Sequence, residues 1–249
     1  FLPNIHNFIA LTESMTKEFY KLNINSKKIY EIPYGVNPND LLVKSDKIDL
    51  RNKHKINNNN FIFLCIGRNH PKKNFELLNK IVNNLKNKNL KKKFQIIVIG
   101  KDVDYLQGAI NKDNNQEYFL LKDEIGSLDK KNPKFPSILL AEFYNLSDCF
   151  LFPSNLETFG IVLAEAMTAK LPIITTNAPG CKDVVRNKID GLVFKKEDFV
   201  KAGDLMQSVI NNNNNIIENL IAKSINRSQT YSISSVAQKY EDLILYKEK

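Results

Sequence analysis

The sequence predicts an α/β protein whose doubly wound, parallel sheet is covered by helices on both faces. Short apolar runs recur along the 249 residues, and segments with helical periodicity lie between or after them. The runs are continuous instead of alternating with polar residues, which is typical of strands buried on both faces of a parallel sheet. Regular alternation of such strands with helices argues for a doubly wound sheet. Apolar residues make up 43% of the chain, which is enough to bury a core.

The strand signals differ in strength along the chain. A weak run near residues 118–121 predicts one short strand inside a long polar stretch, 101–136, which we interpret as carrying a surface insertion. The Asn-rich run at 57–60 directly precedes the first strong strand, as a domain boundary would. The four main strands are expected at Phe61–Ile66, Phe94–Ile99, Cys149–Phe152 and 171–175.

Helices are predicted where apolar residues recur every three or four positions. A second Asn-rich run, at 211–215, separates two of these segments and predicts a loop. The last helix, from Ser232, carries an apolar stripe that needs a partner surface. The stripe consists of Ile233, Val236, Ala237, Tyr240, Leu243 and Ile244. The other helices are expected at 75–85, 161–169, Phe199–Ile210 and 216–224.

The net charge is +9, and its composition limits the partners that can be expected. The chain has 32 lysines but only four arginines, together with 33 asparagines. Arginine is the residue that recognises base edges and binds phosphates through two parallel hydrogen bonds. Because arginine is scarce here, no specific nucleic-acid contact is predicted. An A/T-rich genome is one explanation of the Lys and Asn excess. A basic face for anionic lipid or nucleotide phosphates is the other.

Neither membrane insertion nor direct secretion is predicted. No apolar run reaches the roughly 18 residues that span a bilayer. The chain begins at Phe1, and its first ten residues lack the basic start and small-residue cleavage site of a signal peptide. Cys65, Cys149 and Cys181 are widely spaced beside or within apolar runs, which predicts reduced, partly buried thiols and no zinc site. We therefore expect a cytoplasmic protein, with peripheral contact at the cytoplasmic face of a membrane as a further expectation.

The segment 153–180 contains the first candidate site. A strand ends at Pro153, a short loop holds Glu157, and Gly160 opens a helix that carries Glu165. Backbone N–H groups at the start of a helix have no intrahelical acceptor and form a natural phosphate site; here they belong to Phe159, Gly160 and Ile161.

Glu165 follows the helix start by about 6 Å along the axis, so it could accept hydrogen bonds from a ribose whose diphosphate lies at that start. In the alternative interpretation Glu165 is an ordinary helix glutamate and Glu157 an ordinary loop residue. Glu165 interrupts an otherwise apolar run, IVLAEAM, which favours a functional role.

The segment 67–74, GRNHPKKN, is the second candidate site because it directly follows a predicted strand. Ligands of open α/β sheets bind beyond the carboxyl ends of the strands. Arg68, Lys72 and Lys73 would place cations there, where they could hold a diphosphate and stabilise a leaving phosphate. The alternative is a solvated charged turn, in which His70 is a turn residue without a catalytic role.

These segments resemble the retaining GT-B glycosyltransferases, the group that includes glycogen synthase and bacterial mannosyl- and glucosyltransferases. GRNHPKKN is similar to the family's Gly-Arg-x4-Lys strand end, with Arg68 and Lys73 at the matching positions. Glu157 and Glu165 match its Glu-x7-Glu motif, with Thr158 where glycine is common. Residues 8–41, 177–194 and 231–248 resemble further ordered motifs of the same family.

The resemblance implies a nucleoside-diphosphate sugar as donor and hexose transfer with retention of configuration to an unidentified glycan, lipid or protein acceptor. It implies no metal and no cofactor, and the Asp102–Asp104 pair is interpreted as a chance match to a metal motif of another fold. By resemblance Glu157 is the catalytic residue and faces the donor sugar, and Glu165 faces the ribose. The implied donor-binding residues are Arg68, Lys73, Glu157, Phe159, Gly160, Ile161 and Glu165.

The resemblance also divides the chain into three parts. Residues 1–59 match the end of an amino-terminal domain and a linker. Residues 60–230 match a complete carboxy-terminal, Rossmann-like nucleotide-sugar-binding domain, and 231–249 a closing helix that packs back toward the amino-terminal domain. Most of the amino-terminal domain is missing, so we expect either a fragment of a longer polypeptide or a gene-level truncation, and in both cases a chain that is inactive alone. The alternative function is a non-catalytic nucleotide-sugar-binding module or scaffold subunit. A sugar-nucleotide epimerase of the same architecture is a third hypothesis, and the Glu-x7-Glu pattern argues against it.

Overall fold

A computed structural model of the chain describes residues 5–125, 135–211 and 214–245. Its strands fall into one six-stranded and one two-stranded sheet, and every pairing in both sheets is parallel. The strands are β1 (Phe8–Ala10), β2 (Ile29–Glu31), β3 (Phe61–Ile66), β4 (Phe94–Ile99), β5 (Phe119–Lys122), β6 (Cys149–Phe152), β7 (Ile173–Thr176) and β8 (Leu192–Phe194).

The six-stranded sheet has the order β5-β4-β3-β6-β7-β8, and β1 pairs with β2 separately. β3 pairs with β4 along its whole length and with β6 on its other side. The chain therefore runs outward from β3 to β5, returns to the centre at β6, and runs outward again to β8. This reversal between β3 and β6 is the switch point at which doubly wound sheets form ligand crevices. The predicted parallel α/β fold is confirmed.

The helices cover this sheet, and three predicted ones are confirmed to within one residue: 75–85, 161–169 and Phe199–Ile210. In the residues that the structure describes, no helix is both long and apolar enough to cross a membrane. The helices are α1 (Glu13–Lys21), α2 (Lys47–Lys53), α3 (Glu76–Leu85), α4 (Gln107–Lys112), α5 (Ile138–Leu146), α6 (Ile161–Thr168), α7 (Cys181–Val184), α8 (Phe199–Ile210), α9 (Asn214–Ser228) and α10 (Ile233–Leu245).

Two sequence predictions need correction. The short strand expected near 118–121 is confirmed as β5. The expectation of a surface insertion is wrong for the part before β5, because α4 belongs to the main fold and Val103, Leu106 and Ile110 are buried in the core. The remainder, 126–134, lies outside the described residues. The loop predicted at 211–215 is shorter than expected, because α9 already begins at Asn214; residues 212–213 are not described.

The three cysteines are more deeply buried than predicted. Cys65 lies in β3, Cys149 in β6 and Cys181 at the start of α7, and all three are inaccessible to solvent. Burial raises the pKa of each thiol, in Cys181 to about 12. Thiolate is the reactive form of cysteine, so these side chains are inert core residues at neutral pH.

The apolar stripe of α10 is largely uncovered. Val236 is buried, whereas Ile233, Tyr240 and Ile244 are exposed. The start of α10 is fixed to the linker through a hydrogen bond from Ile233 N to Val36 O at 3.0 Å. The stripe thus has the partly unpartnered face that its sequence predicted.

A partly buried ion pair connects the segment before the sheet to the two central strands. The Arg51 guanidinium donates to Asp148 Oδ2 at 2.6 Å and to the Leu146 carbonyl at 2.9 Å. The same carboxylate oxygen accepts the backbone N–H of Ile62, the second residue of β3, at 2.7 Å. Arg51 is only 5% exposed, so its buried charge is stabilised by these acceptors and not by water.

The division of the chain at residues 59 and 230 stays a prediction.

Replacing Asp148 by Asn is expected to lower the free energy of unfolding by about 3 kcal/mol, because Arg51 would remain buried without its counter-charge. Glu13→Gln is the control: it removes a solvent-exposed ion pair to Lys17 and should leave the free energy of unfolding close to that of the parent. Urea denaturation of both variants measures the difference. Equal urea midpoints for the two variants would show that the Arg51–Asp148 ion pair does not stabilise the fold.

Candidate functional site

The candidate site lies where the carboxyl ends of β3, β4 and β6 meet. The loop 67–74 leaves β3 at Gly67, whose N–H donates to the Ile99 carbonyl at 2.9 Å. A Cβ on Gly100, at the end of β4, would lie 2.0 Å from the Gly67 carbonyl oxygen. The two loops therefore approach each other at backbone distance, which only glycine permits.

The same loop is fixed to the loop after β6. The Lys72 carbonyl accepts the backbone N–H of Asn155 at 2.7 Å and lies 2.8 Å from Ser154 Oγ. These contacts bring Lys73 to Glu157, and the two side chains form an ion pair. The Lys73 ammonium also lies 5.2 Å from the centre of the Phe152 ring. The structure thus joins two residues that the sequence placed in separate motifs.

His70 has a local role in this loop. Its Nδ1 accepts the backbone N–H of Lys72 at 3.2 Å, and its carbonyl accepts that of Lys73 at 2.7 Å. The side chain is exposed. These contacts fit the predicted turn residue.

The loop after β7 holds Glu157 from the opposite side. The backbone N–H of Glu157 donates to the Pro179 carbonyl at 3.0 Å. Gly180 has a φ of +80°, and a Cβ there would lie 2.4 Å from the Glu157 carbonyl oxygen. Ser154 Oγ lies 2.9 Å from Glu157 Oε1. The position of Glu157 is therefore set by its neighbours on two loops.

The start of α6 presents backbone donors, as predicted. Gly160 has a φ of +75°, and in the described part of the chain the N–H groups of Phe159, Gly160 and Ile161 have no acceptor. The Phe159 side chain is buried and packs edge-on against Tyr34 and Tyr231, so only its backbone can contact a ligand. This helix start remains a predicted phosphate site.

Glu165 is a buried carboxylate, unlike an ordinary helix glutamate on a solvated face. It is 7% exposed, and Tyr144 donates its hydroxyl to Oε2 at 2.6 Å. Burial raises the pKa of Glu165, and the hydrogen bond from Tyr144 opposes that rise. Among the described residues no cation lies within ion-pair distance of it.

Glu165 lines a cavity of about 320 Å³ together with Arg68. The other three arginines are engaged elsewhere: Arg51 pairs with Asp148, and Arg186 and Arg227 approach Asp190. Arg68 makes no ion pair with any described carboxylate. Lys73 and Glu157 do not line this cavity.

Sequence reasoning missed several residues that build the site. Tyr144 lies outside every motif. Ser154 and Gly180 lie within the segment 153–180 but have no predicted role, although the turn sequence NAPG could have singled out Gly180. The absence of a metal stays a prediction; within the described ranges no three His, Cys, Asp or Glu side chains come together as a metal site would need. Asp102 opens a short 3₁₀ turn instead.

The fold of the whole chain matches that of solved glycosyltransferases. A glycosyltransferase of Rickettsia africae superposes with a TM-score of 0.81 at 17% identity, over 97% of this chain and 63% of that one. HepE of Anabaena, solved in complex with UDP, superposes with a TM-score of 0.83 at 16% identity, over 97% and 64%. The fold is therefore of the GT-B glycosyltransferase class.

The family is shown by the sequence itself. Residues 46–227 match the model of the glycosyl transferases group 1 family, and the chain belongs to that family. It is 28% identical over 217 residues to a capsular polysaccharide biosynthesis glycosyltransferase of Staphylococcus aureus, covering 82% of this chain and 52% of the relative. It is 29% identical over 188 residues to a UDP-Gal:α-D-GlcNAc-diphosphoundecaprenol α-1,3-galactosyltransferase of Escherichia coli, covering 75% and 46%. The chain thus spans about half the length of these curated relatives.

Gly180→Ala is expected to lower the free energy of unfolding by roughly 1–3 kcal/mol or more, because a left-handed backbone and a contact with the Glu157 backbone oppose any Cβ. Gly108→Ala is the matched control. It lies in α4 with open space around its Cα, and it should stabilise by about 0.5–1 kcal/mol. Urea denaturation distinguishes the two, and a Gly180→Ala protein as stable as the parent would show that Glu157 is not held in this way.

Proposed function

We propose that the chain forms the donor-binding part of a hexosyltransferase that uses a nucleoside-diphosphate sugar and retains its configuration. One observation carries the proposal: a cavity at the carboxyl ends of the central strands combines Arg68, which makes no ion pair among the described residues, with the buried carboxylate Glu165. A cation fits a diphosphate, and a carboxylate fits the hydroxyls of a ribose. Membership of the glycosyl transferases group 1 family supports the same chemistry.

The diphosphate would be held by three kinds of donor. Arg68 supplies a guanidinium, Lys73 an ammonium, and the start of α6 its backbone N–H groups. Lys73 is paired with Glu157 in this structure, so bound phosphates would share or displace that carboxylate. All these groups stabilise negative charge that grows on the leaving phosphate.

Glu157 would face the hydroxyls of the donor sugar. It is held by Lys73 and by the loops after β6 and β7, which suits a positioned hydrogen-bond acceptor better than a mobile base. In the retaining chemistry that we propose, the acceptor oxygen bonds to the anomeric carbon on the face from which the phosphate leaves. The carbon–phosphate oxygen bond breaks, and a phosphate oxygen of the donor takes the acceptor's proton. The step needs neither a metal nor a cofactor.

The partners remain proposals. The HepE complex contains UDP, and the E. coli relative is named for a UDP-galactose donor, so a uridine diphosphate is the first probe. The relatives are named for a capsular polysaccharide and a lipid-linked diphosphate, which favours a glycan or lipid acceptor. We further propose that the protein works in the cytoplasm, at the surface of a membrane.

Transfer is proposed to need more than this chain. The chain covers about half of its relatives, and the acceptor must be held in attack geometry by a second wall. We expect the 249 residues alone to bind donor weakly without turnover. The exposed stripe of α10 and the separate β1–β2 sheet would contact the remaining part.

Binding of UDP and GDP to this chain tests the proposal by isothermal titration calorimetry. Arg68→Ala should weaken binding by about tenfold to a hundredfold, because a charge-assisted hydrogen bond is lost. Lys80→Ala, at an exposed position on α3, is the control that removes a cation without changing affinity. No binding of either nucleotide at millimolar concentration would favour the scaffold alternative instead.

The two glutamates should differ in the form of the protein that transfers sugar. Glu165→Gln is expected to raise the KM for donor, because the ribose contact is weakened in ground and transition states alike. Glu157→Gln should mainly lower kcat, because its contact to the reacting sugar matters most in the transition state. Steady-state kinetics with varied donor measures both, with Glu117→Gln on the opposite sheet edge as control. If neither change altered kcat/KM, Glu157 and Glu165 would be structural residues.

A further inference from the structure

Tyr144 contacts the candidate site from the side of the buried core. It lies on α5, its side chain is completely buried, and its ring stacks on Phe150 of β6 with centroids 5.8 Å apart. The hydroxyl lies 2.6 Å from Glu165 Oε2 on α6. The ring is held by the core, so the place of the hydroxyl is set by packing and not by the ligand.

The Tyr144 hydroxyl donates its hydrogen bond to the Glu165 carboxylate and not to another acceptor. The hydroxyl also lies 3.4 Å from the Val162 carbonyl, which is too long to compete with the contact to Glu165. A hydroxyl has one proton to donate, and a short hydrogen bond to a carboxylate is the stronger of the two. Oε2 of Glu165 therefore accepts a hydrogen bond from the protein itself.

The other carboxylate oxygen is left for a ligand. In the described part of the chain no group donates to Glu165 Oε1, although the residue is 7% exposed and lines the cavity. A buried carboxylate with a single hydrogen bond is costly unless further donors arrive. Two vicinal hydroxyls of a ribose are such donors.

We propose that Tyr144 is a positioning residue that occupies Oε2 of Glu165 and fixes its carboxylate with Oε1 turned to the ribose hydroxyls of the donor. The inference rests on the proposed function. It assigns the preference for a ribonucleotide to a pair of residues, of which only Glu165 touches the ligand. A site built to hydrogen-bond a hydroxyl rejects the analogue that lacks it, so a 2′-deoxyribose donor should bind less well.

The hydrogen bond between Tyr144 and Glu165 should also influence how donor binding depends on pH. Burial raises the pKa of Glu165, and the Tyr144 hydrogen bond lowers it. Without the hydroxyl the pKa rises further, and the carboxylate loses its acceptor role at a higher pH. Arg68, Lys101 and Glu124 line the same cavity. All three side chains are present in both the parent and the Tyr144→Phe variant, so a difference in pH profile between the two proteins reports on Tyr144.

The test is Tyr144→Phe, which keeps the ring and removes one oxygen. Titration of the 249-residue chain with UDP and with 2′-deoxy-UDP at several pH values measures the preference for ribose. We expect the parent to prefer UDP by about tenfold, and the variant to lose most of that preference while binding 2′-deoxy-UDP as before. The pH below which UDP affinity falls should be higher in the variant.

Three controls keep the result interpretable. Tyr118→Phe makes the same deletion at the opposite edge of the sheet, next to Phe94, and should leave preference and pH profile unchanged. In a Glu165→Gln background, Tyr144→Phe should have no further effect on the preference, as a double-mutant cycle requires. Should Tyr144→Phe fold poorly, Tyr144→Met fills the space with a flexible side chain that cannot donate.

The possible failures are distinguishable. If the parent chain binds neither UDP nor GDP, the proposed function fails and the inference with it. If it binds UDP and 2′-deoxy-UDP equally, donor binding stands and the ribose contact of Glu165 is wrong. If the parent prefers UDP and Tyr144→Phe keeps both that preference and the pH profile, only the positioning role of Tyr144 is overturned.

Discussion

The parallel pairing of β3 with β6 is the constraint on which the site depends. These strands are distant in the chain but adjacent in the sheet, with Phe63 opposite Cys149. Parallel strands end at the same edge, so the loops that follow them must share one crevice. Lys73 meets Glu157 and Arg68 shares a cavity with Glu165 only because of this pairing. The ion pair of Arg51 with Asp148 stabilises the opposite ends of the same two strands.

The site also depends on glycines that let the backbones of neighbouring loops lie in direct contact. Gly100 against the Gly67 carbonyl and Gly180 against the Glu157 carbonyl let neighbouring loops pack without side chains between them. Each loop thereby limits the movement of the next. The polar side chains of the site are thus carried on loops that the sheet and its glycines hold in place.

The sequence reveals the sheet more readily than the contacts within the site. Continuous apolar runs mark the strands, because a strand covered on both faces has no polar side. α5 escaped prediction for the same reason: ILLAEFYNL is apolar almost all round and has no clear helical stripe. Glu165 could be singled out inside its apolar run. Its partner Tyr144 could not, because their contact depends on how α5 and α6 pack on β6, and spacing along the chain does not encode that packing.

The burial of all three thiols has a consequence for the chemistry of the chain as a whole. Cys65 and Cys149 lie in the central strands β3 and β6, and Cys181 lies at the start of α7. All three are buried, and burial keeps them as protonated thiols that oxidants and alkylating reagents do not reach. Modification must wait until the core opens. The rate at which a thiol dye labels the native protein therefore reports how often the regions around these cysteines open, and a cysteine introduced on the surface would be labelled much faster than they are.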